Sequence, residues 1–212
     1  MTWNTIRWPS YAVLLGLSVG FAYGSKLLNT LFLPGLEHRP GIAVYDPVLE
    51  WLPAMDVSGP IFWVMYPTLF AGYALAARNP KLLVVAFSAH GFMYLFRFFC
   101  ILCVPLHAPA DLVVLRDPVV DFMGFHTVFL RRDLFYSGHF ASVFLFFILA
   151  GKAWYRWLFL LCALVVGVLI LVQHIHYSYD ILGAVAFSYL SVYCATLVTE
   201  RGFRRLGCGQ NT

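Results

Sequence analysis

The chain has 212 residues, of which 61% are hydrophobic and 11% charged, with 14 Lys and Arg against 10 Asp and Glu and a formal net charge of +4. Soluble domains are about 45–50% apolar and about 25% charged, so water is excluded as the main solvent. A charge this small, with no basic run interleaved with aromatics, also excludes a nucleic-acid surface.

About 20 apolar residues cross the hydrocarbon core of a bilayer. Six apolar stretches predict an all-α, polytopic bundle of six transmembrane helices, one domain over 1–212. The first stretch lies near 11–31 and is interrupted by Lys26 and Asn29. It is longer than the core of a signal peptide and no small-residue cleavage site closes it, so it is expected to stay in the protein. The second lies near 61–77 and is the least marked of the six. The third, near 82–104, carries Arg97 and a Cys100-x-x-Cys103 pair. Inside an apolar helix that pair is read as packing, with redox or metal chemistry as the alternative. The five cysteines have no loop spacing and suggest no disulfide framework. The fourth stretch lies near 134–150, the fifth near 157–172 and the sixth near 181–198.

Orientation follows from the cations. With the N-terminus in the cytoplasm, the inner segments hold Arg7, Arg78, Lys81, Lys152, Arg156, Arg201, Arg204 and Arg205. Most acidic residues, among them Glu37, Asp46, Glu50, Asp56, Asp111, Asp121, Asp133 and Asp180, then fall outside. Short inner loops rich in Lys and Arg satisfy the positive-inside rule, which puts both termini in the cytoplasm. Arg39, Arg116, Arg131 and Arg132 are outer exceptions in the two long loops.

That topology gathers polar groups at one depth. The fourth stretch begins outside with Tyr136-Ser137-Gly138-His139, the fifth ends there at Gln173-His174-Ile175-His176, and the sixth begins at Tyr177-Ser178-Tyr179-Asp180. Arg97 lies in the outer half of the third. Each has an ordinary reading alone: an interfacial histidine, a snorkelling arginine, a Ser helix cap, a His–Asp pair at i and i+4 that steadies a helix end. Together they fit phosphoryl transfer. An imidazole is a competent nucleophile near neutrality. A carboxylate four residues on accepts its other N–H and fixes the tautomer. A second histidine moves the proton, and a guanidinium grips the phosphoryl oxygens. No cofactor and no metal enters this scheme.

The residues also resemble a family. Asp133-Leu-Phe-Tyr-Ser-Gly-His139 looks like a signature of the type-2 phosphatidic acid phosphatase (PAP2) superfamily, in the form found in sphingomyelin synthases. His176-Tyr-Ser-Tyr-Asp180 is similar to their His-Tyr-Thr/Ser-x-Asp, and Tyr94-Leu-Phe-Arg97 with Leu106-His-Ala-Pro109 resembles their Arg-bearing third helix and the stretch after it. The core of the resemblance covers about 82–199. It implies that His139, His176 and Asp180 are catalytic, with His176 attacking and Asp180 assisting. Arg97, Ser137, Gly138, Tyr136 and Asp133 are expected to bind substrate. The Lys-x6-Arg-Pro of the phosphatase branch is absent, since Lys26 is followed by Leu33-Pro34, and Leu169-Ile170 replaces that branch's Ser-Arg. Both absences favour the synthase-like branch, although only Tyr45-Asp46-Pro47 stands where those enzymes carry Pro-Leu-Pro-Asp.

The expected activity is transfer of a phospho-headgroup from a membrane glycerophospholipid, such as phosphatidylcholine or phosphatidylethanolamine, to a ceramide- or diacylglycerol-like alcohol, or to water. Two other classes stay open. One is a zinc-dependent hydrolase with His139, His174, His176 and Asp180 as ligands. The other is a lipid transporter or scaffold without turnover.

Overall fold

The computed structural model describes Trp3, residues 6–118 and residues 134–207. Helix α1 (Trp8–Phe32) runs into a 3-10 turn, Leu33–Leu36, and is followed by the short α2 (Pro47–Trp51). Then come α3 (Ser58–Ala76), α4 (Pro80–Cys103), α5 (Gly138–Leu149), α6 (Arg156–Val172) and α7 (Ser178–Arg205). The six longer helices stand where the six apolar stretches predict them. An isolated parallel bridge pairs Ile42 with Leu106.

Local chemistry sets the helix starts. Proline opens α1, α2 and α4, where its missing N–H is harmless. Asn79 Oδ1 accepts from the Lys81 and Leu82 amides at 3.0 and 3.3 Å, and Ser137 caps α5 through the Phe140 amide at 3.4 Å. That cap shortens the fourth element relative to the apolar stretch. With 12 residues, α5 is about 18 Å long, well under the thickness of a hydrocarbon core. Among the described residues, three helical segments can cross a membrane by length and composition: Trp8–Leu36, Pro80–Cys103 and Ser178–Arg205. Gly138–Leu149 and Arg156–Val172 are shorter apolar helices.

The distribution of side chains is compatible with a membrane protein. On α1 the buried positions include Ser18, Ser25 and Asn29, while Leu17, Tyr23 and Leu31 are about two-thirds exposed, at 65%, 67% and 66%. Likewise α7 buries Ser188, Ser191 and Thr199 and turns Leu182, Tyr193 and Val198 outward. Water would reverse that preference; lipid does not, because small and polar residues suit helix contacts there. The inward serines satisfy themselves, as Ser188 and Ser191 donate to the carbonyls of Ala184 and Phe187, one turn back.

The bundle is organised around α5, which packs against α3, α4, α6 and α7. Every residue from Phe140 to Phe147 is buried. Close approach is secured where a glycine faces an aromatic ring. A Cβ on Gly72 of α3 would fall 2.4 Å from the Phe146 ring, and one on Gly91 of α4 would fall 2.3 Å from Phe21 of α1. Helices α1 and α4 run side by side in the same direction, for Phe21 meets Phe92 and Phe32 meets Phe98.

The first and last described stretches lie at one end of this bundle. Tyr11 meets Phe203, Trp3 donates to the Ala77 carbonyl at 3.1 Å, and Lys81 pairs with Glu200 at 3.1 Å. The α5–α6 turn is there too, since Ala150 and Tyr155 line a small recess with Ala76 and Leu82. The basic residues assigned to the inner loops therefore cluster at one end. The acidic loops and the starts of α5 and α7 occupy the other.

Candidate active site

The α6–α7 connection is a tight turn. His174 adopts a left-handed conformation (φ 54°), which histidine tolerates better than most side chains. Its Nε2–H donates to the Leu52 carbonyl at 3.1 Å. The turn points His176 into the protein, where it is 3% exposed. His176 Nδ1 lies 3.1 Å from Asp180 Oδ2, and Asp180 is wholly buried. A carboxylate accepts only, so Nδ1 carries a hydrogen, and in the neutral ring Nε2 keeps the lone pair. The same Oδ2 accepts the Tyr177 amide at 2.9 Å, so one oxygen both caps α7 and orients the ring. The other, Oδ1, is buried without a hydrogen-bond partner among the described residues.

A backbone bond joins this pair to the start of α5: the Ser137 amide donates to the Asp180 carbonyl at 3.3 Å. Ser137 is fully buried, and the next two residues, Gly138 and His139, form the first turn of α5. His139 is half-buried, its ring edge-on to Phe62 at 5.9 Å. Arg97 comes from α4 and is also buried. Its Nε donates to the Tyr136 carbonyl at 2.8 Å, and a Cβ on Gly138 would stand 3.1 Å from that Nε. Glycine at 138 thus lets the guanidinium lie against the N-terminus of α5, where unpaired helix N–H groups also favour an anion.

His176, Asp180, Ser137, Gly138, Tyr136 and Arg97 are accordingly linked by successive contacts, with His139 next in the chain. Tyr136 has a particular place among them. Its hydroxyl donates to the Met93 carbonyl at 2.7 Å, its ring stacks on Phe187 at 4.7 Å, and its carbonyl holds Arg97. Asp133 lies outside the described residues. The four zinc-ligand candidates do not converge as a set, since His174 turns its Nε2 to Leu52. Among the described residues no group of three or more His, Cys, Asp or Glu is placed to hold a metal ion.

Three further features have contacts that the sequence did not indicate. Asp46 is 5% exposed and bridges two helix starts, accepting from Val48 at 2.9 Å and from Ser178 at 2.5 Å. Gln173 is wholly buried. Its side chain ties the end of α6 to Val57 and Ser58 and to the Val113 and Val114 carbonyls. Both contacts depend on residues distant in sequence, so no local motif reveals them. The third is a pair of adjoining cavities of about 470 and 520 Å³ that share His107 and Ala108–Ala110 as a wall. Glu37 lines the first; Asp46, Glu50 and Asp111 line the second, with His174 and Tyr177 at the side of the site.

Asp56 and Tyr177, both outside the long helices, are perturbed. Hydrogen bonds from the Ser58 hydroxyl and amide, then Gln173, hold Asp56 below the usual carboxylate range. Burial raises the Tyr177 phenol, which keeps it a donor to the His107 carbonyl at 2.8 Å.

The PAP2 superfamily C-terminal family model matches residues 132–197, which supports membership of that superfamily. The match takes in His139, His176 and Asp180 and leaves out Arg97 and Asp46. No curated protein and no solved structure matches the chain.

Proposed function

Starting from that superfamily, whose members act on lipid phosphates, we propose that the chain is an integral membrane lipid phosphotransferase. It moves a phospho-headgroup from a glycerophospholipid to a ceramide-like alcohol through a covalent intermediate on His176. The observation that carries this reading is the buried His176–Asp180 pair, 3.1 Å apart and fastened through Ser137 to the turn that presents His139 and seats Arg97.

In the first half-reaction His176 Nε2 attacks the phosphorus, a P–N bond forms, and the P–O bond to diacylglycerol breaks. His139 gives the leaving alkoxide its proton. Asp180, holding Nδ1–H, steadies the cationic ring that results. Arg97 and the N–H groups at the start of α5 offset charge on the phosphoryl oxygens. In the second half the acceptor hydroxyl gives its proton to His139 and attacks phosphorus, and the P–N bond breaks. Water in place of the alcohol gives a hydrolase, and the same residues serve.

The missing Lys-x6-Arg-Pro and Ser-Arg favour the synthase-like branch. The carboxylates Glu37, Asp46, Glu50 and Asp111 around the adjoining cavities suit a donor with an ammonium headgroup. Cations at one end of the bundle and carboxylates at the other favour a site on the extracytoplasmic leaflet.

The test is mass spectrometry of lipids after the purified protein meets mixed phospholipids with and without ceramide. Diacylglycerol should accumulate together with a ceramide carrying the donor's headgroup. Release of free phosphate from phosphatidate alone would instead identify a phosphatase, and unchanged lipids would refute enzyme function.

A further inference from the structure

His176 lies two residues before α7, whose N-cap residue supplies no side-chain cap to the first-turn amides. The N-cap residue is Tyr177, not the Ser, Thr, Asp or Asn that ordinarily closes a helix start. Its hydroxyl is committed elsewhere, to the His107 carbonyl at 2.8 Å. The first-turn amides must therefore find acceptors from other residues, because a buried N–H left unpaired costs about 1–3 kcal/mol. Asp180 Oδ2 takes one of them, Tyr177 N–H, while also holding His176 Nδ1. The next amide, Ser178 N–H, is taken by Asp46 Oδ2, 132 residues away in sequence.

We propose that Asp46 is a positioning residue for the His176–Asp180 pair, acting as a helix cap supplied to α7 from a distant loop. An Asp in the first turn of a helix is the ordinary acceptor for its open amides. Without Asp46 the Ser178 amide competes for the Asp180 carboxylate and draws it away from the imidazole. With Asp46 in place Asp180 stays on His176. The two carboxylates divide the donors of one helix start, and the division leaves the nucleophile oriented. Asp46 lies outside the segment that the superfamily model matches, so this support comes from a different part of the chain. It rests on the reading of His176 as nucleophile only for its effect on turnover; the orienting effect stands apart from it.

Two substitutions isolate the contact. Asp46→Ser keeps the cap of α2, since a serine hydroxyl can still accept from Val48, but is too short to reach Ser178 as well. Ser178→Pro removes the donor itself. Proline suits the first helical position, and the residue before it, Tyr177, already has an extended backbone (φ −81°, ψ 158°), as a pre-proline residue prefers. Asp46→Asn is a third variant, also able to cap α2 and with a single oxygen. The full chain is purified in lipid nanodiscs and labelled with ¹⁵N-histidine, and the Nδ1–H signal of His176 is assigned by its loss in His176→Gln. Turnover is followed with a fluorescent phosphatidylcholine and ceramide.

Asp46→Ser and Asp46→Asn should weaken or shift the His176 Nδ1–H signal. They should also lower kcat by about 10- to 100-fold, as a displacement near 1 Å does, with KM unchanged. Proline removes the competing amide, so Asp46→Ser in the Ser178→Pro background should cost little more and retain the signal, a non-additive pair. An unaltered His176 signal in Asp46→Ser overturns the proposal even if the variant is less stable. Strictly additive losses in the double variant overturn it too. If the wild type does not turn over phosphatidylcholine, the proposed function fails while the histidine signal still decides the role of Asp46.

Discussion

Helices α1 and α5 are built on opposite plans. The 25 residues of α1 bury Ser18, Ser25 and Asn29 and expose Leu17, Leu27, Leu31 and Tyr23, and Asn29 reaches α4 by donating to the Tyr94 carbonyl at 2.9 Å. The 12 residues of α5 are apolar almost throughout and packed among four other helices. One helix is a wall with its large apolar side chains outward; the other is a peg that holds the bundle together. The difference accounts for where the proposed chemistry sits. A helix start embedded among its neighbours holds Ser137, Gly138 and His139 in a fixed setting, as catalysis requires. A helix with its apolar side chains turned outward offers no such constraint.

The sharpest break of this contrast is at the α7 end that α5 abuts. His176→Ala should abolish turnover, and Asp180→Asn should depress it strongly, with both proteins folding and inserting normally. Headgroup transfer assayed on the purified variants checks this. Normal activity in His176→Ala removes the mechanism.

Next comes Arg97. Lysine preserves the charge and snorkels equally well, but its ammonium lacks the paired planar donors of guanidinium. Arg97→Lys should therefore retain thermal stability and lose about 100-fold or more in kcat, the usual cost of a donor to developing charge. Full activity in a stable Arg97→Lys would make the residue a structural snorkeller.

A smaller loss is expected from Gly138→Ala. The added Cβ would stand 3.1 Å from Arg97 Nε, so the guanidinium must shift by a few tenths of an ångström. A fall in kcat of about tenfold is expected, since misplacement of about 1 Å costs up to 100-fold. Steady-state kinetics beside a melting curve separate this from unfolding.

The comparison is sharpened most gently by stability alone. Phe146→Ala in α5 empties a fully enclosed site against Gly72, Tyr73 and Phe159 and should cost about 3–5 kcal/mol. Leu17→Ala on the outer face of α1 should change stability by under about 0.5 kcal/mol. Reversible unfolding in mixed micelles measures both. Equal costs would mean that the outer face of α1 is covered.

How much of this was legible beforehand follows from the range of each interaction. Hydropathy located the six longer helices, because a long apolar run is a property of neighbours in sequence. It could not find α2, whose five residues are too few to set a period, nor foresee that the Ser137 cap shortens α5. His176 with Asp180 was legible because i and i+4 meet on one helix turn. That Gly138 makes room for Arg97, and that Tyr136 holds it by a carbonyl, were not, since each joins α4 to α5 across the bundle. The roles of Asp46 and Gln173 were hidden for the same reason. Both stand in stretches the sequence marks, but the partners that place them at the site, Ser178 for Asp46 and Val57, Ser58, Val113 and Val114 for Gln173, lie far along the chain.

The central claim is that His176 carries the phospho-headgroup between donor and acceptor. It is tested most directly by mixing the purified protein with phosphatidylcholine in the absence of ceramide, quenching at alkaline pH where phosphoramidates survive, and sequencing the peptides by mass spectrometry. The mass of the phospho-headgroup should appear on His176, vanish in His176→Ala, and be discharged when ceramide is added before the quench. Active enzyme with the adduct on His139, or with none on any histidine, would contradict the account.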